Sequence, residues 1–145
     1  MSTIIESLLK IKRWTEDDAK NKFAEILKAL SAEEHRLAEL EQQYKSIVLR
    51  IKSEAGMEID IDKLKKMHEY SEHMLSKIQL QKIVVLAKEA DVETARKILT
   101  EATKDKKIFE KLDEKEKTAI KAEHKKNEQI RTDEHASAKF RHENL

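Results

Sequence analysis

Across its length the chain has no proline and a single glycine, Gly56. Average proteins contain about 7% Gly and about 5% Pro, and these two residues are the strongest interrupters of a helix. With both nearly absent, one break at Gly56 organises the whole sequence. On either side of it, apolar residues recur in alternating steps of four and three. That spacing keeps one stripe of a helix facing a partner helix as the two wind together. The pattern predicts an all-α fold, a single domain over residues 1–145. Helix one covers about 4–54, a hinge about 55–61, and helix two about 62–142. A hinge this short makes the helices antiparallel neighbours. The result is a two-stranded coiled-coil hairpin with a longer, overhanging second helix.

Composition agrees. Charged residues make up 41% of the chain, hydrophobic residues 39% and aromatic residues only 4%, enough for a narrow seam but not for a thick globular core. The formal net charge of +1 gives no overall field to draw in nucleic acid or anionic lipid. No face is persistently basic and no aromatics interleave the lysines, so nucleic acid is not an expected partner. The absence of cysteine excludes disulfides and thiolate chemistry and fits a reducing compartment. No run of apolar residues is long enough to span a bilayer. The amino-terminal residues lack the features of a signal peptide, so the expected location is the cytoplasm.

The first seam reads Ile5, Leu9, Lys12, Glu16, Ala19, Phe23, Ile26, Leu30, Glu33, Leu37, Leu40, Tyr44, Ile47 and Ile51. For the polar members Lys12, Glu16 and Glu33, the expectation is that long stems cross the groove and carry the charged heads to water. Acid-to-base pairs four apart, Glu6/Lys10, Glu16/Lys20, Asp18/Lys22 and Glu41/Lys45, mark a solvated exterior. Trp14 lies off the seam, either covered by neighbouring stems or offered to a partner.

At the hinge, Gly56 is expected to take the left-handed conformation that ends many helices. Asp60 or Asp62 is expected to cap the next helix, with Met57, Ile59 and Ile61 folding over the end of the seam. The second seam reads Leu64, Met67, Ser71, Met74, Ile78, Gln81, Val85, Lys88, Val92, Ala95, Leu99, Ala102, Lys106 and Phe109. The run Lys82 to Ala87 is expected to widen it. A first helix on the order of 76 Å long, paired from Asp62, meets its partner as far as about residue 112. After Leu112 the apolar stripe thins to Ala119, Ile120, Ile130 and Phe140. Residues 113–145 therefore read as an unpaired helix with interleaved charges, either simply solvated or a probe entering a polar channel.

Nothing in the sequence supports catalysis. One glycine cannot build a phosphate-binding loop, there is no cysteine nucleophile, and no serine sits in a nucleophile elbow. The histidines are scattered; His68 and His73, five apart, do not stack as a metal pair. Glu58, Asp60 and Asp62 lack the spacing of a calcium loop. No enzyme activity, cofactor or metal is expected.

Three stretches carry a resemblance. Leu9-Lys10-Ile11-Lys12-Arg13-Trp14, followed by Glu16 and Ala19, is similar to the opening helix of the flagellar FliJ family. Glu110-Lys111-Leu112, preceded by Lys106 and Lys107, resembles that family's basic lead-in to Glu-Lys-Leu. Asp133-Glu134-His135-Ala136 resembles its Asp-Glu-x-Ala near the carboxyl end. Their order and spacing cover essentially the whole chain. The resemblance implies a coiled-coil stalk of the flagellar type III export apparatus. Such a stalk inserts into the hexameric ring of the export ATPase, promotes its assembly and turnover, and engages the cytoplasmic domain of the export gate. Export chaperones are further implied partners. The chain would then work at the inner face of the cell membrane, peripheral to it through those partners. The implied gate contacts are Leu40, Tyr44, Tyr70 and Met74; Leu40 and Met74 read equally well as seam packing, whereas Tyr70 departs from the seam. The implied ATPase contacts are Trp14, Leu112, Ile120, Ile130, Asp133 and Glu134. Alternatives are an injectisome-type secretion stalk, a coiled-coil holdase chaperone, and a structural coiled coil that assembles into filaments.

Overall fold

The computed structural model describes residues 3–56 and 60–143, with the Thr3 backbone alone at the start. Two helices account for nearly all of it: α1, Thr3–Glu54, and α2, Ile61–Glu143. No strand occurs among the described residues. The fold is an all-α hairpin in which α1 and α2 pack against each other.

The break between them is made differently from the sequence expectation. Gly56 does not have a positive φ. The amide of Ala55 still donates to the Ile51 carbonyl at 2.9 Å, so α1 ends by running out of helical turns rather than by a left-handed cap. A glycine tolerates negative φ as readily as positive, which is why its presence alone does not settle the geometry. Of the two candidate caps, Asp60 takes the role: its Oδ1 accepts from the Asp62 amide at 3.2 Å and its carbonyl from the Leu64 amide at 3.2 Å. Ile61 is exposed rather than folded over the seam; the first residue of a helix has no preceding turn to lie against. Met57, Glu58 and Ile59 lie outside the described residues.

Contacts gather into two units, Asp18–Leu99 and Met1–Asp17 with Thr100–Leu145. In the first, α1 and α2 run antiparallel: Arg36 and Leu40 lie beside Lys77, Leu80, Gln81 and Val84, whereas Ala19, Lys22 and Ile26 lie beside Asp91, Ala95 and Ile98. Its core is Ala19, Met74, Ile78, Val85, Val92 and Ala95. Each larger member contributes about 1.5–3 kcal/mol by leaving water, and the alanines let the backbones approach. Gln81 is a buried polar residue with its partner in place. Its Nε2 donates to the Glu33 carbonyl at 3.0 Å and to the Glu33 carboxylate, so Glu33 is turned inward, not out to water. The run Lys82 to Ala87 does not widen the seam: Val85 alone is buried, and Ile83, Val84 and Leu86 are exposed. A helix presents only about one residue in 3.6 to a single partner, so adjacent apolar residues must point elsewhere.

In the second unit Leu9 and Ala102 are buried beside a polar layer. Glu16, 3% exposed, accepts a hydrogen bond from Lys106 Nζ at 3.0 Å. This corrects the expectation that its head reaches water: with an ammonium available across the groove, the carboxylate is better compensated inside than a bare one would be. Lys12 likewise turns across, 3.7 Å from Asp105 Oδ2 and 5.5 Å from the centre of the Phe109 ring. The stripe ends on acids. Asp113 is buried, held by Lys117 at 3.0 Å, but its Oδ1 and Glu116 Oε2 have no hydrogen-bond partner among the described residues. Burying such oxygens is costly, so nothing favours extending the pairing. From Lys117 to Glu143 every residue is exposed.

Candidate partner-binding surfaces

The described surface holds two kinds of feature that a partner could read. In the unit Met1–Asp17 with Thr100–Leu145, the stretch beyond Glu116 is a single helix with all faces open. Ile120 and Ile130 are nearly half exposed. Ile130, Asp133 and Glu134 come together on one face with Ser137 and Arg141, as steps of three and four require. The face is amphoteric, with an isoleucine at one end and an arginine at the other. Ile120 sits on a separate patch with Glu114, Lys117 and Lys121. Leu112 is 43% exposed and lies just before the last shielded turn. Trp14, on α1, is 62% exposed with Lys10 Nζ 5.4 Å from its ring centre. A neighbouring lysine covers one side of the indole, and most of the ring is exposed.

In the unit Asp18–Leu99, the four residues implied as gate contacts divide. Met74 is 2% exposed and belongs to the core, whereas Tyr70 is 52% exposed. Leu40 and Tyr44 are half-buried. Leu40 lines a shallow hollow of about 290 Å³ with Arg36, Lys77, Leu80 and Val84. Of the four, Tyr70 is open to solvent and Leu40 and Tyr44 are partly so.

Sequence reading missed the cross-helix polar pairs Glu16–Lys106 and Glu33–Gln81 and the exposed run around Ile83. The signal for the pairs was present as polar residues at seam positions on both helices; which one meets which depends on the stagger of the helices. The signal for the run was its apolar content on both sides of a single seam position.

No helix among the described residues is long and apolar enough to cross a membrane. The family model described as flagellar FliJ protein matches residues 1–145. No curated protein and no solved structure matches the chain.

Proposed function

Because the chain belongs to the flagellar FliJ family, a non-enzymatic coiled-coil component of flagellar export, we propose that it acts as the stalk of the export ATPase. The carrying observation is the fully exposed segment 117–143 in a chain matched by that family over its whole length. This segment would enter the ring of the hexameric ATPase, with Leu112, Ile120, Ile130, Asp133 and Glu134 as contacts and Trp14 contributing from α1. Mixed, interleaved charge suits a polar pore, because no continuous apolar stripe locks the helix in one position. An asymmetric helix inside a symmetric ring cannot contact all subunits alike, so it biases which subunit closes on nucleotide. Its action is mechanical, by differential contact with subunit states. Tyr70, with the edges of Leu40 and Tyr44, would face the cytoplasmic domain of the export gate. Export chaperones are further partners, and any association with the membrane is through these proteins.

The test is reconstitution with the export ATPase. The full chain should promote ring assembly and raise ATP turnover, and a chain lacking residues 113–145 should do neither. Equal stimulation by the shortened chain would refute insertion of this segment.

A further inference from the structure

On α2, off the seam, a second stripe runs in steps of four and three: Ser76, Leu80, Ile83, Ala87, Ala90 and Thr94, with Leu80 and Thr94 bordering shallow hollows shared with α1. All six are exposed, with Leu80 at 65% and Ile83 at 63%. None is charged, in a chain that is 41% charged. The stripe has the spacing of a coiled-coil seam, and all six positions stay exposed among the described residues. We infer that it is a self-association surface, on which the α2 helices of two copies pack antiparallel about a two-fold axis.

The order of side-chain sizes selects that occupant and direction. The large residues Leu80 and Ile83 lie in one half of the stripe, and Ala87 and Ala90 in the other. Antiparallel pairing sets Leu80 against the second copy's Ala90, Ile83 against its Ala87, and Ser76 against its Thr94. Each layer then holds one large and one small residue, or two small polar ones, and the gap between helices stays even. Parallel pairing in register would set leucine on leucine and alanine on alanine, leaving voids in one half. The flanking positions agree with the same axis. Lys77 meets the second copy's Asp91 twice by symmetry, joining opposite charges at the positions that fix orientation in coiled coils. Asp91 already has Lys88 at 4.0 Å in its own chain, so each carboxylate would lie between two ammonium groups. Val84 and Leu86 fall on the axis and meet their own counterparts, and Tyr70 meets Ile98. The exposed apolar residues Tyr70, Leu80, Ile83, Val84, Leu86 and Ile98 thus leave water in one contact. Such an isologous contact closes on itself, giving a dimer and not a filament.

The dimer concerns the free chain and does not rest on the export role. It would cover Tyr70, so self-pairing and the proposed gate contact would compete.

The full chain examined by sedimentation equilibrium should show a reversible rise in mass that stops at twice the chain mass. Leu80→Glu with Ile83→Glu, on exposed positions that leave the helical circular dichroism unchanged, should remain a monomer throughout. Lys77→Glu and Asp91→Lys should each raise the dissociation constant roughly tenfold, and the two together should restore it. Since the chain has no cysteine, Val84→Cys should form a disulfide-linked dimer on mild oxidation. Ile98→Cys should link only when mixed with Tyr70→Cys. Self-linking of Ile98→Cys equal to that of Val84→Cys would overturn the antiparallel arrangement. A wild-type chain that is monomeric at every concentration would overturn self-association and leave the stripe to another protein. ATPase stimulation by the monomeric double variant is read separately, so failure of the dimer and failure of the stalk role are distinguishable.

Discussion

Replacing Lys106 with methionine keeps most of the aliphatic stem and removes only the charge, which isolates the ion pair with Glu16. The two groups are 3.0 Å apart, with side chains 5% exposed for Glu16 and 21% for Lys106. Removing one partner of a fully buried pair costs about 3–5 kcal/mol, because the other charge is left behind in a poor solvent. Lys106 retains some access to water and also lies 3.8 Å from Glu110, so the cost falls below that range, to about 2–3 kcal/mol. Glu16→Leu combined with Lys106→Leu removes both charges and fills the groove, and is expected to be neutral or stabilising by about 1–4 kcal/mol. Lys22→Met is the control. Lys22 pairs with Asp18 at 3.1 Å, but both side chains are about two-thirds exposed, so its loss costs about 0.5 kcal/mol or less. Urea unfolding followed by helical circular dichroism gives the free energies. Amide exchange over residues 5–17 and 100–113 reads local opening of that unit. A cost for Lys106→Met no larger than for Lys22→Met would refute the reading that the Lys106 ammonium compensates the buried Glu16 carboxylate.

Three further substitutions test other parts of the structure. Gly56→Ala should be neutral or stabilise thermal unfolding by about 0.4–1 kcal/mol, since φ is not positive and a Cβ meets nothing within 4 Å while the unfolded chain loses freedom; a loss of stability would restore the left-handed cap. Asp60→Ala should cost about 1 kcal/mol by freeing the Asp62 amide, and Asp60→Asn should recover most of it in the same melt. Met74→Ala should destabilise by about 2–5 kcal/mol as a core truncation, whereas Tyr70→Ala should leave the melting curve nearly unchanged and weaken binding to the gate domain in a pull-down; equal binding by Tyr70→Ala and wild type would remove Tyr70 from that surface.

Residues 113–145 show how far pattern alone reaches. Seam residues run out near Leu112, and burial ends at Glu116, one turn later. The same physics sets both limits: a helix with nothing opposite it gains nothing from apolar side chains on that face. Tyr70, one position off the seam, was placed outside by the same periodicity. Met74 was also readable, since it stands on the stripe and is now seen within the core.

The sequence by itself determined that there are two helices, that one face of each is shielded, and where that shielding stops. Every position of both seams is buried or half-buried. Helical periodicity is a local property, so composition and spacing suffice to express it. Only the tertiary structure decided which polar groups meet. A seam can slide by a heptad with little change in its apolar content, and it is the stagger of α1 against α2 that sets Glu16 beside Lys106 and Glu33 beside Gln81. It also decided the sign of φ at Gly56, because a residue without a side chain takes either sign at little cost.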